Sequence, residues 1–191
     1  MIEDESDKHL GERLSTMQMV KRRLFAMRNG VVADSLRRAG CPYRIIFGVN
    51  VPQLGEIAAE FGPSAELAES LWADDAMRES FVLATMLYPV DRLTIEHARA
   101  LADRARWSED ADMLCFKLFK RTAFAPQLAA ELTASTDRLH RYAGLRLYFN
   151  IVSTHAAEAL RAAEAEAARP DALTGLAAML AEEARFILGE E

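Results

Sequence analysis

From Lys8 to Met27 the apolar residues Leu10, Leu14, Met17, Val20, Leu24 and Met27 recur at three- and four-residue steps. That spacing lines them up on one stripe of a helix. Asn29-Gly30 breaks this helix, and Gly40-Cys41-Pro42 ends a short second one from Val31 to Ala39. Asn50 or Val51 takes an N-cap position with Pro52 in the first turn of a helix to about Phe61. Ser64 caps Ala65 to Trp72, and Asp74-Asp75 start a helix that Pro89 stops. Thr94 caps a helix to about Ala105, Ser108 caps one continuing to Lys120, and Pro126 opens another through Leu132. Thr136 or Asp137 begins a long helix carrying Leu139, Ala143, Leu147 and Ile151, and two Ala/Glu-rich helices, roughly 156–168 and 172–188, finish the chain.

Only Arg44–Val51 has strand-like composition, and with no second strand to pair with it reads as an extended linker. Apolar residues make up 51% of the chain, but many are Ala and Leu, and 9 Gly and 6 Pro leave long stretches unpunctuated. The chain is therefore all-α. Helix pairs recur about every 40 residues, the spacing of HEAT-type repeats, which stack into a curved α-α superhelix with a concave face. An irregular helical bundle would fit the same periodicity. At 191 residues the chain falls within the range of one domain, so 1–191 is read as a single helical-repeat domain.

No apolar run approaches the roughly 18 residues of a membrane span, and the acidic start Met1-Ile-Glu-Asp-Glu-Ser lacks a signal peptide's basic region. A cytoplasmic protein with no membrane partner is expected. Cys41 and Cys115 have no CxxC spacing and read as buried free thiols, and His97, His140 and His155 show no ligand spacing. Neither metal nor cofactor is expected. Net charge is −6, yet it is uneven: residues 1–16 carry −3, residues 156–191 carry −5, and the remainder nets +2. Lys21, Arg22, Arg23, Arg28, Arg37, Arg38 and Arg44 face a single acid, Asp34, between Val20 and Phe47. On sequence alone such a run reads first as a solvated helix face.

Four segments, in order, carry a resemblance. They are Phe47-Gly-Val-Asn-Val-Pro-Gln-Leu-Gly-Glu-Ile-Ala58; Leu67-Ala-Glu-Ser-Leu-Trp72 followed by Met77-Arg-Glu79 and the apolar run to Leu87; Asp112-Met-Leu-Cys-Phe-Lys-Leu-Phe119; and Arg138-Leu-His-Arg-Tyr-Ala-Gly-Leu-Arg146. They resemble the AlkD-like DNA alkylation repair family of HEAT-like repeat proteins, with the resemblance strongest over 18–152 and residues 153–191 forming a divergent acidic, Ala-rich end. Asn50 and Gly55 stand where that family usually has bases.

The resemblance implies a DNA glycosylase that excises cationic alkylated purines such as 3-methyladenine and 7-methylguanine from double-stranded DNA. Such a base is already a good leaving group, so the group needing stabilisation is the oxocarbenium-like sugar, which a nearby carboxylate can oppose. Asp112 matches the residue given that role, and Trp107 is the nearby aromatic whose face could attract the cation. Arg141 matches the phosphate-contacting arginine, with Arg138, Arg146 and Lys117 beside it as further DNA contacts. Each residue also has a plainer reading. A third acid after Ser108-Glu109-Asp110 suits a helix first turn, Trp107 suits packing, and Arg141 suits an exposed basic cluster. Trp107 lies five residues before Asp112 where the family commonly has four. After Phe149 the only aromatic is Phe186, so the C-terminal aromatics and bases of active relatives are missing. A non-catalytic HEAT-like module binding DNA or protein is the alternative function.

Overall fold

The computed structural model describes residues 15–190, and among these every regular element is helical, with an extended linker between the second and third helices. The helices are α1 (Thr16–Ala26), α2 (Gly30–Arg38), α3 (Val51–Phe61), α4 (Ala65–Ala73), α5 (Arg78–Leu87), α6 (Ile95–Arg104), α7 (Ser108–Met113), α8 (Ala125–Thr133), α9 (Arg138–Ala167) and α10 (Thr174–Leu188). The first part of the predicted helix from Lys8 lies outside the described residues. None of these helices is long and apolar enough to cross a membrane.

Most starts are set by local chemistry. The side chains of Asn50, Ser64, Thr94 and Asp137 each accept a backbone N–H from the first turn they precede, satisfying donors that helix geometry leaves free. Two starts differ from expectation. Asp74-Asp75 does not open α5: the Asp74 carboxylate is drawn to Lys21, 2.8 Å away on α1, and the helix begins at Arg78. Ser108 does not cap α7 either, because it is already the first helical residue and Trp107 holds the cap position with no side-chain bond.

The predicted helix from Ser108 to Lys120 is also not continuous. After Met113 the backbone widens into a π-helical turn, Leu114–Leu118, and then tightens into a 3-10 turn, Phe119–Arg121. α9 breaks at His155 (φ −135°, ψ 38°), close to where two separate helices were expected.

The helices pack mainly with near neighbours: α4 and α3 on α5, α8 and α10 on α9, and α7 on both α5 and α9. α5 lies at the centre, buried from Arg78 through Thr85. Burying a charged pair costs several kcal/mol per ion unless every polar atom is matched, and here the partners are supplied by the linker. Glu79 accepts the backbone N–H groups of Phe47 and Gly48, at 3.1 and 2.9 Å, while Arg78 donates to Val49 O at 2.7 Å and to Glu109. The extended linker is thereby stapled to α5, with one bridge between Ile45 and Met77 completing the attachment. Gly48 has φ +74°, and a Cβ there would lie 2.1 Å from Asn29 O, so only glycine fits.

α8 and α9 approach almost backbone to backbone. A Cβ on Gly144 would stand 2.6 Å from both the side chain and the amide nitrogen of Thr133. Cys115 is buried as expected and its Sγ donates to Ala143 O at 3.3 Å, with burial pushing the thiol's pKa up. Cys41 is only half-buried.

Candidate functional site

Asp112 sits near the end of α7, and α7 packs on the first half of α9. That half presents Tyr142 and Arg146, four residues apart and therefore on one face of the helix. The Tyr142 hydroxyl is 3.1 Å from each Asp112 carboxylate oxygen, and Arg146 Nε donates to Oδ1 at 2.6 Å. The cluster is neither buried nor free: Asp112 is 28% exposed and Arg146 34%. Burial and the Asp112 charge push the Tyr142 phenol up to about 12, so it is a proton donor across the physiological range. Arg146 also lies over the Phe149 ring at 6.0 Å. The result is an anion held in place by a cation and a hydroxyl, with one side still open to solvent.

Two residues before Asp112, Asp110 faces the opposite way. It is wholly buried, and its Oδ2 accepts from the Tyr43 hydroxyl and from Arg106 N–H, each at 2.9 Å. Its Oδ1 and the Trp107 indole nitrogen are buried without a hydrogen-bond partner, although the indole N–H is close enough to favour the ionised carboxyl slightly. Burial dominates and raises the Asp110 carboxyl to about 6.

Trp107 therefore belongs with Asp110. It is partly buried against the core at the cap of α7, and among the described residues no side-chain hydrogen bond or ring contact links it to Asp112, Tyr142 or Arg146.

Arg141 departs furthest from expectation. Its side chain is 1% exposed, with Nε on Glu166 at 3.0 Å, Nη2 on Asp171 at 2.6 Å and Nη1 on Thr136 O at 2.9 Å. A guanidinium 1% exposed and engaged by two carboxylates and a carbonyl is turned into the protein, so Arg141 is not placed to meet a phosphate. It ties the start of α9 to the far end of the same helix and the turn beyond it. Arg138, one turn earlier, is exposed and has no ion pair among the described residues. Lys117 lies on the π turn beside the exposed ring of Phe116, with its Nζ 5.0 Å from the ring centroid.

The structure thus brings Asp112 and Arg146 together, leaves Arg138 and Lys117 at the surface, and sends Trp107 and Arg141 elsewhere. Sequence reasoning passed over Tyr142 and Phe116. Their signals were spacing: Tyr142 precedes Arg146 by four residues, and Phe116 follows Asp112 by four. Among the described residues no group of three or more His, Cys, Asp and Glu could hold a metal ion.

Residues 20–187 match the profile of a family described as DNA alkylation repair enzyme. No curated protein matches the sequence. A solved structure described as "A new family of proteins related to the HEAT-like repeat DNA glycosylases with affinity for branched DNA structures" has a TM-score of 0.74 at 17% identity. The alignment covers 91% of this chain and 82% of that one, and establishes a shared HEAT-like helical fold.

Proposed function

The chain belongs to the DNA alkylation repair enzyme family, and from that premise we propose that it binds DNA and excises cationic alkylated purines, with Asp112 opposing the charge that develops on the deoxyribose. The observation that carries this reading is the fixed, half-open carboxylate of Asp112 between Tyr142 and Arg146. A cationic base leaves without being protonated, so the chain needs no general acid at the base. A preorganised anion near the sugar supplies the stabilisation, and it costs no reorganisation because Tyr142 and Arg146 already hold it. Arg146 holds the carboxylate in place, and the exposed Arg138 and the half-buried Lys117 are the phosphate contacts in this reading, in place of Arg141.

The test is release of methylated base from alkylated duplex. The full chain is expected to release 3-methyladenine or 7-methylguanine, and Asp112→Asn is expected to lower the rate at least about tenfold, in keeping with removal of one electrostatic stabiliser. Equal release by the variant, or none by the wild type, removes the catalytic reading.

A second reading is supported by Arg146. A carboxylate already matched by a guanidinium at 2.6 Å has part of its charge cancelled, which suits a protein that binds DNA and does not cut the glycosidic bond. The solved neighbour is described as having affinity for branched DNA. Salt-dependent DNA binding with no base release identifies this second case.

A further inference from the structure

We infer that Phe116 is a stacking platform for a base that has left the helical stack, so that the DNA this chain prefers is duplex interrupted by a bulge, a gap or a branch point. The inference rests on the DNA reading above and deepens it.

Phe116 is a large apolar side chain left 46% exposed. It stands on the π-helical turn, four residues after Asp112, and therefore on the same side of the helix. Lys120 Nζ sits 3.8 Å from its ring centroid and Lys117 Nζ 5.0 Å. Neither lysine, nor the exposed Arg121 that follows, has an ion pair among the described residues.

An exposed aromatic among unneutralised cations is the combination that unpaired nucleotides require. The ring takes the base and the cations take the flanking phosphates. The energies favour the exchange. An exposed cation–π contact is worth about 0.5–1 kcal/mol, whereas stacking a base on an aromatic ring is worth about 1–3 kcal/mol. Lysines that swing from the ring to phosphates vacate the face and gain the stronger electrostatic partner. An intact duplex offers no free base face, so Phe116 adds nothing to its binding and only the cations act. A single aromatic can thus separate open DNA from closed.

Fluorescence anisotropy of the full chain on a labelled duplex, and on the same duplex carrying an unpaired bulge or a three-way branch, tests this. Phe116→Ala is expected to weaken binding to the interrupted DNA about tenfold, the loss of one stacking contact, and to leave intact-duplex affinity within about twofold. Phe116→Trp is expected to retain the preference, with its added indole emission quenched on the interrupted DNA and not on the duplex. The double variant Lys117→Ala/Lys120→Ala is expected to weaken both DNAs alike and to reduce the salt slope by about 2. Should Phe116→Ala lower affinity for both DNAs equally, or for neither, while the wild type still binds duplex, the stacking assignment fails and the DNA reading stands. Wild type that binds neither DNA at low salt overturns both.

Discussion

Arg141 and Arg146 stand little more than one turn apart on α9, and their surroundings differ sharply. Arg141 is closed in by Glu166, Asp171 and Thr136 O, at 1% exposure. Arg146 reaches Asp112 at a surface where a third of its side chain meets solvent. The aspartates of α7 repeat the contrast, with Asp110 sealed against Tyr43 and Asp112 open. Residue type is the same in each pair, so it does not decide which member is free to act. The deciding factor is the helix face each member occupies and what a segment distant in sequence brings alongside it. The acidic C-terminal stretch supplies Arg141's counterions, and part of its negative charge is thereby spent inside the protein.

The contrast breaks most visibly at Arg141. Arg141→Ala leaves Glu166 shielded from water without its main cation, and is expected to destabilise the chain by about 4 kcal/mol in urea denaturation. A loss below about 1 kcal/mol would mean that the clasp behaves as a surface pair and that the two arginines are alike.

Asp110 sharpens the contrast through pH. Its folded-state pKa, about 6, lies above its ordinary value of 3.8, so the native protein binds more protons than the unfolded chain between about pH 4 and 6. Its contribution to stability is present at the acid end of that window and is lost as pH rises through it. Asp110→Asn, compared with wild type at each pH, is expected to remove up to about 3 kcal/mol of that dependence. Parallel stability curves for the two proteins would mean the carboxyl is not sealed.

The smallest change is expected at Asp112. Asp112→Asn should alter stability by less than about 1 kcal/mol, because its ion pair is screened by solvent. It should also bring the Tyr142 phenol down from about 12 towards the ordinary tyrosine value, since the Asp112 charge helps hold it up. Difference titration against Tyr142→Phe measures that shift, and an unmoved phenol would show that the cluster is not coupled.

Features governed by neighbours a few residues away were legible in the sequence. Caps at Ser64 and Thr94, Pro52 in a first turn, the stop at Pro89 and the extended linker all follow from local backbone chemistry. Those governed by distant partners were not. Asp74 fails to start α5 because Lys21, 53 positions earlier, holds it, and Arg141 is turned inward by residues 25 and 30 positions later. Trp107 could be named as an aromatic near Asp112, but its direction depends on the pocket that Tyr43 and Asp110 build. The pairing of Asp112 with Arg146 joins two of the resembling segments. Glu79 joins two others, since its carboxylate grips the Phe47-Gly48 amides. Those motifs therefore occur together because each completes the other's hydrogen bonds.

The π turn at Leu114–Leu118 accommodates one more residue than an α-helical turn of the same rise. Removing one residue there would let the segment close into a regular α-helix with the residues on either side keeping their faces, whereas the same deletion from an ordinary α-helical turn would rotate everything after it by about 100°, one residue's angular step. The widened turn thus absorbs a residue that would otherwise carry Lys120 and Arg121 to a different side from Asp112. The relative bearing of the carboxylate and the basic strip is in this sense a counting property, set by the number of residues between them and by the width of the turn that holds them.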